Sequence, residues 1–142
     1  MSAFNMFDSF VEALAEKVHN LGSDVLKVAL SNTAPAAGDT VFAPGGAHPA
    51  PAAANGYAPT QAALTTSAQT SGVYKLVLAD VVFTAASGQI GPFRYAILYN
   101  DTAAGDELIA WWDRGSSLTL EDTETCTIDF DATNGVFQLA EA

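Results

Sequence analysis

The sequence is poor in the residues that most directly carry chemistry. One cysteine, Cys126, stands in 142 residues, which excludes an internal disulfide and any cysteine-built zinc site. It lies in an alternating stretch with no helix start or cation cluster beside it, so the thiol reads as a small core residue rather than a nucleophile. There are two histidines: His19, near the end of a helical pattern, and His48, inside a Pro/Ala-rich stretch. Neither context suits a general base, and both read as solvent-facing or incidental. Cations are equally scarce. Five Lys and Arg face sixteen Asp and Glu, a net charge of −11, and Lys17, Lys27, Lys75, Arg94 and Arg114 are scattered along the chain. Phosphate backbones and anionic lipid would repel such a surface, so neither nucleic acid nor membrane is expected as a partner. No apolar run approaches the roughly 18 residues of a membrane span, and Asp8 and Glu12 stand where a secretory signal would be positive. A chain made in a cytoplasm is expected.

The acids that are present do not assemble into a recognisable site. Asp106–Glu107, Glu121–Asp122 and Asp129–Asp131 are pairs of the kind glycosidases and some metal sites use, but ten of the sixteen acids lie beyond residue 100, where composition alone produces neighbours. Asp129, Asp131 and Asn134 resemble a fragment of a calcium loop whose other ligands are missing. The glycines at 45–46 and 88–91 lack the lysine and helix of a phosphate loop. No catalytic, metal-binding or cofactor-binding residue is assigned, and an enzyme is not expected.

What the chain does have is apolar content. With 49% hydrophobic and 15% charged residues it should fold, and its length suits one domain, residues 1–142. Residues 2–20 carry a helical pattern: Phe7, Phe10, Val11, Leu14 and Val18 fall at i, i+3, i+4 spacings and predict one amphipathic helix, packed on the domain's own sheet or on a neighbouring subunit. Residues 24–31 predict a first strand. Residues 32–72 then hold five of the six prolines and a single charged residue, Asp39. This stretch predicts a long irregular loop or extended arm, with brief strand-like patterns only near Thr40–Phe42 and Ala62–Thr65 and with Val41, Phe42 and Tyr57 as apolar anchors.

From 73 onward strand follows strand. Val73–Thr84 is broken at Asp80; Phe93–Tyr99, Glu107–Asp113, Leu118–Leu120 and Thr123–Phe130 alternate; and Asn134–Gly135 predicts a hairpin turn into Val136–Leu139. Trp111 and Trp112 are adjacent in a strand, so one indole should enter the core and the other lie on the opposite face. The fold class expected is mainly β: an antiparallel sandwich or small barrel with one N-terminal helix.

The segments GPFRYAILYNDTAAGDELIAWWDRGSSLTL at 91–120, TIDFDATNGVFQLA near the C-terminus and DVLKVALSNTAP at 24–35 resemble a family of small tailed-bacteriophage virion proteins, commonly head decoration or cement proteins. The matching blocks span 56 of the 142 residues. The resemblance implies a protein of the capsid surface that binds the major capsid protein, often as a trimer or dimer, and stabilises the shell; it offers no catalytic motif. Phe4, Phe7, Val41, Phe42, Tyr57 and Trp111 are the candidate interface residues. A tail tube or fibre protein is the alternative within the virion. A carbohydrate-binding β-sandwich, with Trp111 or Trp112 as a sugar platform, is the alternative outside it.

Overall fold

The computed structural model describes residues 3–141. The chain is mainly β, with 43% strand and 6% helix, and its sheets do not close into a barrel. In order, the elements are β1 (Asn5–Met6), α1 (Asp8–Ala15), β2 (Leu26–Ser31), β3 (Thr60–Gln61), β4 (Leu64–Thr70), β5 (Val73–Leu78), β6 (Val81–Thr84), β7 (Ile90–Asn100), β8 (Leu108–Leu120), β9 (Thr125–Ile128) and β10 (Phe137–Leu139). A five-stranded sheet runs β1-β8-β7-β2-β3; a three-stranded sheet runs β10-β5-β4; β6 and β9 form a pair, and every pairing is antiparallel.

The large sheet is apolar on both faces. Leu26, Val28, Leu30, Ala96, Leu98, Ala110 and Trp112 belong to one core cluster, which they share with Leu76 and Leu78 of β5, Val81 and Phe83 of β6, and Phe130 after β9. The two small sheets therefore cover one face of the large one. On the opposite face, Ala29, Ile97, Tyr99 and Leu108 pack with Phe7, Phe42 and Trp111. Trp111 pairs with Ile97 and Trp112 with Ala96, and the two indoles point to opposite faces as the strand period requires.

Several elements differ from the sequence-based expectation. The helix spans Asp8–Ala15, not 2–20. Asn5 and Met6 are held as a strand against Trp111 and Ala110 of β8, and Lys17 takes a left-handed φ of 70° that ends the helix. Residue 2 lies outside the described residues. Of the apolar residues at helical spacing, Phe10 enters the main core, Phe7 precedes the helix and enters the other cluster, and Val11 and Val18 are exposed. The irregular segment ends at 59, because β3 and β4 lie within the range expected to be loop. The two expected strands Glu107–Asp113 and Leu118–Leu120 merge into one long strand, β8, that begins at Leu108. Asn134–Gly135 does turn the chain, with Gly135 at φ 81°, but it joins no hairpin: β9 pairs with β6 and β10 with β5. The break at Asp80 is present. Its Oδ1 accepts the Phe130 N–H at 2.9 Å, where the chain leaves the three-stranded sheet for the β6–β9 pair.

Candidate functional site

The segment 32–59 has no regular strand beyond an isolated bridge from Val41 to Glu107, yet it is the cover of the second sheet face. Phe42 stacks on Tyr99 with ring centroids 4.5 Å apart and on His48 at 5.9 Å, while Phe7 meets His48 edge-on at 6.4 Å. His48 is fully buried. Its Nδ1 accepts the Ala43 N–H at 3.1 Å, so Nε2 carries the proton and donates to Asp39 Oδ2 at 3.0 Å. That same carboxylate oxygen accepts the Ala36 N–H at 2.9 Å. His48 is therefore a satisfied latch between two turns of the segment, and the expectation of a solvent-facing side chain is corrected. Asp39 and His48 are the only Asp, Glu, Lys, Arg or His residues between 32 and 72. An isolated acid and an isolated histidine in an otherwise uncharged stretch were the available signal for the pair.

His19 is also buried, at 4% exposure, which overturns the solvent-facing expectation for it as well. Asn100 Nδ2 donates to His19 Nδ1 at 2.9 Å and to Asp24 Oδ2 at 2.7 Å. Phe10 lies against the imidazole, 5.3 Å between centroids. Burial pushes the His19 pKa below its ordinary value, against the opposing pull of Glu107 and Asp24. The cluster ties the end of the helical segment to β7 and presents no nucleophile.

Nε2 of His19 and Nε1 of Trp112 are buried without a hydrogen-bond partner among the described residues, whereas other polar groups are committed to local structure. Both oxygens of Asp131 accept hydrogen bonds from the 131–135 turn: Oδ1 takes the Thr133 and Asn134 N–H groups and Oδ2 the Asn134 side-chain amide. These bonds hold its carboxyl below the usual range. Arg94 grips Asp113 bidentately at 2.7 and 2.9 Å, which lowers the Asp113 pKa. Burial raises the Cys126 thiol pKa, away from a reactive thiolate. A cleft of about 210 Å³ lies between β9 and the large sheet, lined by Phe93, Trp112, Cys126, Ile128 and Phe130 among others. Trp112 offers no flat platform there, since Phe4 and Phe130 stand edge-on to it at 5.8 and 5.5 Å.

What the structure leaves for recognition is surface. Of the six interface candidates, Phe7, Phe42 and Tyr57 are buried within the chain; the Tyr57 hydroxyl accepts the Leu30 N–H at 3.1 Å. Phe7 and Phe42 pack in the second cluster and Tyr57 in the main core beside Phe83, so all three are anchors of the chain's own fold, a correction to their reading as interface residues. Phe4 and Val41 remain exposed, at 38% and 41%, and Trp111 is half-buried against Phe7. Among the described residues, the large exposed apolar side chains are Phe4, Met6, Val11, Val18, Val41, Leu64, Val82 and Leu139. The first four of them belong to residues 4–18, a concentration that sequence periodicity hid by assigning Val11 and Val18 to a buried helix face. No family model, no curated protein and no solved structure matches the chain. Among the described residues no helix is long and apolar enough to cross a membrane.

Proposed function

We propose that this chain is a virion structural protein, a decoration or cement protein that docks on the outer surface of a tailed-phage head through its N-terminal segment. The observation that carries the docking part is the crowding of exposed Phe4, Met6, Val11 and Val18 into residues 4–18, on a segment fastened to β8 by the Asn5–Trp111 and Met6–Ala110 pairing. Exposed apolar side chains carried on one ordered segment favour a protein partner. The capsid part comes from the resemblance of residues 24–35, 91–120 and the C-terminal stretch, which fall on β2, the β7–β8 pair and the β9–β10 region. A sandwich-like body with sheets on both sides of one core suits a module that adds stability by binding only the assembled shell.

The test is co-sedimentation of the purified protein with empty heads of the parent phage. Saturable binding, lost in a Met6→Asp/Val11→Asp variant that keeps its β-sheet circular dichroism, is the expected result. Absence of binding, together with rings or fibres formed by the protein alone, would overturn it in favour of a tail component. Deleting the 32–59 segment is the wrong perturbation, because it would strip the cover from Phe7, Ile97 and Tyr99.

A further inference from the structure

The sheet edges of this molecule are unequal. The large sheet ends in two-residue strands, β1 and β3, and β10 has three residues, lengths too short to template pairing. β4 is different. It forms the outer edge of the three-stranded sheet with seven residues, Leu64 to Thr70, and all but Ser67 are exposed. It carries neither a charge nor a proline, and its one irregularity is the register shift between Leu64 and Thr66, which leaves Thr66–Thr70 regular. Residues 40–74, which contain it, hold no Asp, Glu, Lys or Arg, in a chain of net charge −11.

The β4–β5 turn shows which backbone groups are unused. Ser71 and Gly72 both have positive φ, 51° and 79°, the signature of a two-residue hairpin turn that makes Thr70 and Val73 a hydrogen-bonded pair. Alternation along an antiparallel ladder then directs the N–H and C=O of Thr66, Ala68 and Thr70 toward β5, and those of Ser67 and Gln69 away from it. Among the described residues, nothing pairs with that outer side.

We propose that β4 is a self-association edge, where a second copy of this chain pairs antiparallel and joins two three-stranded sheets into one. The occupant follows from charge: two strongly acidic molecules repel each other over most approaches, and the uncharged β4 margin lets their backbones meet without opposed carboxylates. Pairing centred on Ala68 lets Ser67 of each copy exchange backbone hydrogen bonds with Gln69 of the other. It sets Ala68 against its own copy at the two-fold axis and Thr66 opposite Thr70, a self-complementary arrangement of small and β-branched side chains. The β4 edge itself is argued from the strand alone, while a dimer is also one of the states that the resemblance implies.

The test is sedimentation equilibrium of the intact chain over a concentration series, repeated on Ala68→Glu and Gln69→Pro. Glu at 68 sits beside Lys75, its register partner on β5, so the single copy tolerates it, whereas two copies would oppose carboxylates at the axis. Proline at 69 removes an N–H that β5 does not use. The expected result is a reversible dimer whose association weakens about tenfold or more in each variant, while a Val82→Glu control on β6 leaves it unchanged. Thermal melting identifies a variant that has lost its fold, and the other variant then decides. A chain that is monomeric throughout the series, or a dimer unaffected by the folded variants, would overturn the proposal.

Discussion

The two faces of the large sheet are buried by opposite means. One is covered by strands, whose β5, β6 and β9 side chains alternate into a core with Leu98, Ala110 and Trp112. The other is covered by a segment without periodicity, whose hold on the sheet depends on a few large side chains, Phe7, Phe42 and Tyr99, and on one polar latch, His48 with Asp39. A strand-covered face distributes its stabilisation over many interchangeable contacts. A loop-covered face concentrates it, so single substitutions there should loosen the cover locally before they unfold the domain.

The sharpest way to break that contrast is to hollow each face in turn. Phe83→Ala, in the strand-covered core at 2% exposure, should lower the free energy of unfolding by about 3–5 kcal/mol, read as a shift of the urea midpoint for the whole domain. Phe42→Ala, on the loop-covered face, should cost about 3 kcal/mol and also open residues 32–59 to limited proteolysis under conditions where the Phe83 variant stays intact. Equal protease resistance of that segment in both variants would remove the distinction.

His48→Ala should follow at about 1–3 kcal/mol, because it leaves the Ala43 N–H without its acceptor and leaves Asp39 with the Ala36 N–H alone. In a double-mutant cycle with Asp39→Ala the two losses should be less than additive; strict additivity would mean that the 3.0 Å contact contributes nothing.

The smallest effect lies outside both covers. Since burial depresses the His19 pKa, the unfolded chain takes up the proton first as pH falls. Stability should therefore decline from about pH 6.5, the ordinary histidine value, down to the depressed folded-state pKa. His19→Asn should flatten that part of the melting-temperature profile. An unchanged slope would assign it to another group.

The legibility of the fold divides along the same line. Alternation located β5, β6, β7, β8 and β9 closely enough to give the fold class, and the opposed Trp111 and Trp112 followed from strand geometry alone. Periodicity counts residues and not partners, so it missed that β10 returns to β5, and it extended the helix over Phe7 and Val18, which serve other surfaces. The loop cover was illegible for a physical reason: an irregular segment announces its anchors only as apolar residues among Pro, Ala and Gly. Phe42, which anchors that cover, and Tyr57, which enters the strand-covered core, therefore stood out but were assigned to a partner rather than to the chain's own fold. Phe4 and Val41, read from the sequence as interface candidates, are exposed in the fold, whereas the exposure of Met6 and Val11 has no counterpart in the sequence reading.

The adjacent tryptophans give this asymmetry a built-in optical readout. Trp111 and Trp112 are the only two in the chain, and they enter different clusters, so each indole reports on one layer. Trp112→Phe would leave emission from the loop-covered side alone, and Trp111→Phe would leave emission from the strand-covered side. Monitoring the two single-tryptophan proteins through one denaturation would show whether the layers melt together, with superimposable curves, or whether the irregular layer departs first.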